Sequence, residues 1–183
     1  MGGFVASINP EFTRWYSKPT IQEKREELVN GLTASMESAL LAYKSFNSYL
    51  PERIILYRDG VGNGQLQFVE NYELPQFKAA FERVAPSYNP GLTFIVVQKR
   101  INTKFFMQTS KPGQDSLMNP PPEFFIVSQD IRHGTTTPSR FAVLSNENHF
   151  DVGTMYERSH HRTFDRTEPR GSPRIFPPVI NLS

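Results

Sequence analysis

The sequence predicts an α/β fold with a parallel pair of buried strands joined through a helix. Two continuous apolar runs carry this prediction, "RIILY" (53–57) and "LTFIVVQK" (92–99). Short runs rich in β-branched residues are typical of strands buried on both faces. Between them, "QLQFVENYEL" and "PQFKAAFERVA" look helical, with Pro75 suited to a first helical turn. The order strand, helix, strand indicates a parallel βαβ unit with a right-handed crossover.

A hairpin and a long helix are predicted before this unit. Residues 2–7 and 12–21 are rich in aromatic and β-branched residues and are separated by a turn-like segment, which favours two paired strands. Thr20 followed by Glu23 forms a capping box, and the apolar residues after it recur every three or four positions. We therefore predict a helix that ends before Pro51.

The second half of the chain is less regular. Residues 108–123 form a polar segment with prolines and glycines, which predicts a loop, and 124–129 and 140–145 are strand-like. After Phe150 the chain carries four prolines and five arginines in its last thirty residues without sustained periodicity. We expect residues 151–183 to be a largely irregular tail.

The composition restricts the class of protein. At 183 residues, 38% hydrophobic and 21% charged, the chain fits one globular domain. It contains no cysteine, which excludes a disulfide scaffold and thiolate metal sites. No apolar run has the length of a spanning helix, and the amino terminus lacks the features of a secretory signal. We expect an intracellular protein that does not enter a membrane.

Asp59 is the first candidate for chemistry. It follows a buried strand, and functional groups of open α/β sheets lie at the carboxyl ends of strands, although an aspartate before a glycine is more often a turn residue. The glycines of "GVGNG" are a weak signal for a nucleotide-binding loop, because Gln65 stands where the third glycine is needed. The four histidines lack zinc-site spacing, and no serine or cysteine nucleophile motif occurs.

A basic segment follows the second buried strand. In "QKRINTKFF", Lys99, Arg100 and Lys104 alternate with polar and aromatic residues. Cations at a strand end can neutralise phosphates, or they can simply be solvated.

Several long strings resemble the Piwi domain of the Argonaute family, and its Piwi branch in particular. They are "GGFVASINPEFTRWYSK", "RIILYRDGVGNGQL", "YNPGLTFIVVQKRINTKFF", "NPPP" and "FFIVSQDIRHGTTTPSRFAVL". The resemblance covers roughly residues 2–145. It implies an RNase H-like mixed sheet flanked by helices, truncated by the absence of the first central strand and of the carboxyl-terminal segment. It divides the chain into a partial Piwi domain (1–150) and a divergent tail (151–183).

The resemblance also implies a function and a set of site residues. Members of the family bind a small guide RNA paired to a target RNA, and many cut the target with Mg²⁺. Asp59 matches the second catalytic aspartate, a metal ligand, and Glu27 matches the mobile glutamate of the catalytic tetrad. Lys99 and Lys104 match residues that contact the guide backbone, and Gln129 matches another polar contact of the RNA.

Half of the implied tetrad is missing. The family's first catalytic aspartate lies on the strand before residues 2–7, and His149, His160 and His161 cannot be matched to the fourth ligand. Two carboxylates do not form the coordination sphere that Mg²⁺ requires, so we expect no stable Mg²⁺ binding and no target cleavage by this chain alone. Loss of a central strand should also leave two unpaired strand edges.

Three functions stay open at this point. The first is an RNA-binding fragment of a Piwi protein that acts in piRNA-guided gene silencing. The second is a Mg²⁺-dependent, guide-directed endoribonuclease, and the third is a module that binds protein partners of the parent protein by edge pairing. The implied partners are guide RNA and complementary target RNA, in germline cytoplasmic granules or the nucleus.

Overall fold

The computed structural model describes residues 2–9, 12–20, 31–99, 101, 123–126, 139–164 and 179–182. The strands are β1 (Gly2–Ser7), β2 (Trp15–Thr20), β3 (Arg53–Asp59), β4 (Gly91–Gln98), β5 (Glu123–Ile126), β6 (Ser139–Asn146) and β7 (Val179–Leu182). The α-helices are α1 (Leu32–Asn47), α2 (Leu66–Phe68), α3 (Leu74–Val84) and α4 (Val152–Phe164). A 3₁₀ turn, Asn63–Gln65, precedes α2, and a π-helical turn, Val69–Glu73, precedes α3. The strands form one mixed sheet in the order β2-β1-β7-β3-β4-β6-β5, which confirms the predicted α/β architecture with flanking helices.

The predicted hairpin is confirmed. Strands β1 and β2 pair antiparallel, with Val5 opposite Ser17. The Asn9 side-chain oxygen accepts hydrogen bonds from the backbone N–H groups of Thr13 and Arg14, at 3.1 and 2.9 Å, and thereby closes the turn. Strand β2 begins later than predicted because Phe12 has a φ of 53° and belongs to this turn.

The predicted βαβ unit is also confirmed. Strands β3 and β4 are parallel, with Asp59 opposite Val97, and their central residues are buried. Pro75 lies in the first turn of α3, as predicted. Helix α1 ends before Pro51 as predicted, while residues 21–30, which include the capping box's Glu23, lie outside the described residues.

Hydrophobic cores cover both faces of the sheet. On one face α1 and α3 pack over Phe4, Leu56 and Phe94, and Phe77 meets Phe94 edge to face at 5.8 Å. On the other face a smaller core joins β3 and β4 to β5, β6 and α4. Its buried members are Ile55, Tyr57, Ile95, Phe124, Phe141, Val143 and Met155. The sheet is therefore the middle layer of the fold, and the ends of its strands are the parts that the two cores do not cover.

The prediction of an irregular tail is wrong for two stretches, residues 152–164 and residues 179–182. Residues 152–164 form α4, whose first turn is capped by Asp151, which accepts a hydrogen bond from the Thr154 N–H at 2.9 Å. Met155 and Ser159 are buried against the sheet. The spacing of four residues between them places both on one helix face, a pattern too short to stand out among the arginines of this segment.

The expectation of two unpaired edges is also wrong. Strand β7, the last in the sequence, lies between β1 and β3 near the middle of the sheet. It is antiparallel to β1 and parallel to β3. The backbone groups of β1 and β3 that a missing central strand would expose therefore pair with the tail.

None of the helices in the described part of the chain has the length and hydropathy needed to cross a membrane.

Candidate functional site

A pocket of about 790 Å³ opens at the carboxyl ends of β3 and β4. Both parallel strands end at this edge of the sheet. Beyond it the backbone no longer forms hydrogen bonds within the sheet, and side chains are accessible to solvent. Glu123, Phe125 and Arg140 of β5 and β6 complete the wall. The residues that line the pocket are Asp59, Gly60, Val61, Gly62, Asn63, Val97, Gln98, Lys99, Ile101, Glu123, Phe125 and Arg140.

Asp59 is one of the residues that line this pocket. One oxygen, Oδ1, accepts the Gly60 N–H at 2.8 Å, and the other, Oδ2, forms an ion pair with the Lys99 ammonium. Gly60 has a φ of 83°, a left-handed conformation that favours glycine and turns the chain sharply away from β3. The aspartate and glycine after the apolar run thus form a tight strand end that holds a carboxylate beside a lysine.

Arg58 and Glu73 support the same strand end from inside the protein. Arg58 Nε lies 3.0 and 3.2 Å from the two Glu73 carboxylate oxygens, and Nη2 lies 3.1 Å from Oε1. The exposed fractions of the two side chains are 5% and 0%. Arg58 Nη1 also donates a hydrogen bond to the backbone carbonyl of Asp59. A buried charge pair therefore fixes the backbone that carries Asp59.

A second polar network connects the pocket wall to the loop after β3. Arg140 donates hydrogen bonds to Glu123 at 2.6 Å, to Asn63 at 2.8 Å and to Gln98 at 3.1 Å. Gln98 in turn donates to the Val61 carbonyl at 3.1 Å. The strands β4, β5 and β6 and the loop therefore share one hydrogen-bond network.

The loop after β3 also contains the residue that breaks the nucleotide-loop pattern. Gln65 accepts the Gly62 N–H through its side-chain oxygen at 3.1 Å, and its own backbone N–H donates to the Gly62 carbonyl at 3.0 Å and closes the 3₁₀ turn. The glycine-rich stretch is thus the start of a helical segment.

Two of the predicted site residues meet in the structure, and three lie outside its described part. Asp59 and Lys99 are in direct contact, although the resemblance assigns them to different ligands, a metal ion and the guide backbone. Glu27, Lys104 and Gln129 fall on residues that the structure does not describe. Their assigned roles stay predictions.

Sequence reasoning missed four polar residues of this region. Glu73, Gln98, Glu123 and Arg140 were not singled out, because each has an ordinary role when considered alone. The strand order carried a signal for Arg140, since the amino end of an antiparallel neighbour lies beside the carboxyl end of β4. Glu73 precedes the buried Phe77 by four residues, so it lies on the apolar face of the helical segment.

The donors described do not fit a two-metal centre. Such a centre needs several oxygens converging on two ions about 4 Å apart. Asp59 already pairs with Lys99 in this pocket, and Glu123 pairs with Arg140. In the described ranges there is no group of three or more histidine, aspartate or glutamate side chains that could hold a metal ion. The pocket's two ion pairs leave it without excess formal charge among these four groups.

Comparisons with known proteins agree with this architecture. The Piwi domain family model matches residues 1–181. The chain is 44% identical over 158 residues to Piwi-like protein 1 of Gallus gallus, covering 79% of this chain and 18% of that protein. It is 41% identical over 186 residues to Protein argonaute-3 of Drosophila melanogaster, covering 96% of this chain and 21% of that protein. The chain therefore spans about a fifth of the length of these curated relatives.

Solved structures show the same fold. The crystal structure of Drosophila Piwi superposes with a TM-score of 0.64 at 29% identity, covering 85% of this chain and 22% of that one. Kluyveromyces polysporus Argonaute, solved with a guide RNA, gives a TM-score of 0.70 at 24% identity over the same shares and supports the fold alone. From the family match and the identities to its relatives, the chain belongs to the Piwi domain family.

Proposed function

We propose that this chain is an RNA-binding part of a Piwi protein, acts in small-RNA-guided gene silencing, and does not cleave RNA by itself. Its ligands are a guide RNA of the piRNA class and a complementary target RNA. Membership of the Piwi family and similarity to Piwi-like proteins support this assignment. The intracellular location, in germline granules or the nucleus, belongs to the same proposal.

The placement of Lys99 carries the RNA-binding proposal. Its side chain is 64% exposed at the end of β4, whereas the paired Asp59 side chain is 25% exposed. An exposed ion pair contributes little free energy, so the ammonium can leave Asp59 for an RNA phosphate at small cost. Because phosphate contacts dominate the affinity for RNA, this exchange should appear in the salt dependence of binding.

The described neighbours of Asp59 support the proposal that the chain does not cut RNA, because none of them adds an unpaired carboxylate to the pocket. Strand β7 lies next to β3, and its residues Val179–Leu182 include no acid. Within the described residues of the pocket, the other carboxylate, Glu123, is held by Arg140. Two carboxylates that are each ion-paired, as Asp59 and Glu123 are among the described residues, do not supply the converging oxygens that two Mg²⁺ ions need at a phosphodiester. Magnesium in this region is therefore not part of the proposed mechanism.

The binding experiment compares three variants of the full chain. Lys99→Ala should weaken binding of single-stranded RNA and lower the magnitude of the salt slope by about 0.7 to 0.9 for the lost phosphate contact. Asp59→Asn should strengthen binding, because Lys99 loses its competing partner while the Asn side-chain oxygen still accepts the Gly60 N–H. Lys78→Ala is the matched control, since Lys78 is also an exposed, ion-paired lysine and lies outside the pocket.

Fluorescence anisotropy of labelled RNA from low to high salt measures all three. If the salt dependence of RNA affinity is the same for Lys99→Ala and Lys78→Ala, Lys99 does not contact an RNA phosphate. Unchanged affinity in Asp59→Asn would show that the ion pair does not compete with RNA.

The endoribonuclease alternative has its own test. The chain is loaded with a guide RNA and given a complementary RNA in Mg²⁺, with Asp59→Ala as the control. Cleavage that Asp59→Ala abolishes would replace our proposal with the guide-directed enzyme. The partner-module alternative predicts protein binding that persists after nuclease removes the RNA.

A further inference from the structure

The position of β7 in the sheet has a consequence that is independent of RNA binding. A strand from the end of the chain fills a slot between two strands from its beginning and middle. Three residues of β7 pair with β1, and four pair with β3. The β1–β2 hairpin therefore depends on β7 for its place in the sheet, apart from contacts with α1 such as the Asn47 side chain bonded to the Ile8 carbonyl at 2.9 Å.

The space between β1 and β3, called the slot below, fits a strand only in one register. Position 180 lies between Ala6 of β1 and Leu56 of β3, and both of these residues are buried in the core under α1 and α3. Directly opposed residues of neighbouring strands share one face of a sheet, so this register position belongs to the same core. The slot therefore fits an extended segment that is antiparallel to β1 and parallel to β3 and carries an aliphatic residue at this position.

The connection to β7 is long and rich in proline. Residues 165–178, fourteen in all, join α4 to β7 and include Pro169, Pro173, Pro177 and Pro178. Fourteen residues span at most about 45 to 50 Å when fully extended. A connection of this length does not by itself confine β7 to the slot of its own chain. The β7 pairings are the same in its own slot and in that of a neighbouring copy, so protein concentration determines the balance.

We propose that the slot between β1 and β3 is a strand-exchange site and that its partner is β7 of a second copy of this chain. At low concentration β7 occupies its own slot, and near millimolar concentration two copies exchange β7 and form a reciprocal dimer. A second copy is the partner because it supplies a strand of the same sequence, register and direction as β7.

Cysteine pairs test the exchange in the full-length chain, which has no native cysteine. Val5 and Asn181 are directly paired across β1 and β7. Antiparallel partners have Cα atoms about 4.5 to 5.5 Å apart, within the range of a disulfide. One copy carries Val5→Cys and the other Asn181→Cys, and the two are mixed and oxidised mildly at about 10 µM and about 1 mM. A mixed disulfide forms when β7 of one copy lies in the slot of the other.

The control replaces Val5→Cys with Ser17→Cys. Ser17 is opposite Val5 on β2, exposed, and two strand spacings from β7, about 9.6 Å, too far for a disulfide. The doubly substituted chain, Val5→Cys with Asn181→Cys, measures closure within one copy at low concentration. Ala6→Cys with Ile180→Cys is a second registered pair in case the first does not fold.

We expect the doubly substituted chain to form an intramolecular disulfide at about 10 µM. We expect the two singly substituted copies to form a mixed disulfide at about 1 mM that exceeds the Ser17→Cys control several-fold. An intramolecular disulfide without any mixed product above the control would overturn the exchange. Failure of both registered pairs to form an intramolecular or a mixed disulfide in folded protein would overturn the slot itself.

Discussion

The Arg58 guanidinium and the Glu73 carboxylate form a buried ion pair, with Nε to Oε2 at 3.0 Å. Replacing Glu73 by Gln leaves the Arg58 charge buried without its counter-ion. The free energy of unfolding should fall by about 3–5 kcal/mol, the usual cost of breaking a buried pair from one side. Urea denaturation monitored by circular dichroism measures the loss.

Two variants separate the charge effect from general damage. Lys78→Ala breaks the exposed Lys78–Glu147 pair and should cost less than about 1 kcal/mol. Arg58→Met combined with Glu73→Leu removes both buried charges and should recover most of the stability lost in Glu73→Gln. A Glu73→Gln chain as stable as Lys78→Ala would contradict the importance of the pair.

A hydrogen bond between Tyr57 and Ser159 connects α4 to the middle of the sheet. Their hydroxyl oxygens are 3.0 Å apart and both side chains are buried. Ser159→Ala should lower the free energy of unfolding by about 0.5–1.5 kcal/mol, the net contribution of one such bond. A double-mutant cycle with Tyr57→Phe should show coupling, which additive effects would disprove. Ser38→Ala, on an exposed face of α1, serves as the control.

The sequence predicts best those elements that depend on local pattern. Strands β3 and β4 are continuous apolar runs, and α3 begins with a proline in its first turn, so hydropathy and turn chemistry determine them. Strand β7 could not be predicted in this way. It has four residues, follows a proline-rich stretch, and owes its place to pairing with β1 and β3, which lie far from it in the sequence.

The candidate site was only partly predictable for the same reason. The position of Asp59 follows from the end of an apolar run, which is a local feature. Its contact with Lys99 depends on the parallel register that sets Asp59 opposite Val97. Glu73 lay on an apolar helical face, but only the three-dimensional fold supplies Arg58 as its partner. Residue type therefore indicated one carboxylate, whereas pairing across strands determined its surroundings.

Gly91 and Asn148 fit together without room for another methyl group. Asn148 Nδ2 lies 2.9 Å from the Gly91 carbonyl, 3.0 Å from Thr93 Oγ1 and 3.2 Å from the Ile54 carbonyl. A Cβ atom at position 91 would collide with the Asn148 side-chain oxygen. Gly91→Ala should therefore cost about 1–3 kcal/mol in unfolding free energy, the usual range for overpacking.

Measuring Gly91→Ala with and without the Asn148 side chain tests whether the collision causes the loss of stability. If the collision is responsible, Gly91→Ala should cost much less in a chain that already carries Asn148→Ala. Chemical denaturation of the two single variants and the double variant gives the comparison. An equal cost in both backgrounds would place the strain elsewhere.

Asp151 makes the stability of α4 depend on pH. Hydrogen bonds from the Thr154 hydroxyl and backbone N–H, at 2.5 and 2.9 Å, hold the pKa of this carboxyl below its ordinary value of 3.8. A carboxyl whose pKa is lowered by folding stabilises the folded state above its unfolded pKa. That contribution is lost as the pH falls through the folded pKa. The effect should therefore be constant near neutral pH and diminish below about pH 4.

Asp151→Asn isolates this group from the other acids of the chain. The Asn side-chain oxygen can still accept the Thr154 N–H, so α4 keeps a cap without a titrating charge. The difference in unfolding free energy between the native chain and Asp151→Asn should favour the native chain at pH 7 and shrink at pH 3. Hydrogen exchange should locate this difference in the first turn of α4, because the charge acts on the N–H groups there. A difference that is the same at both pH values would show that the Asp151 charge does not stabilise the helix.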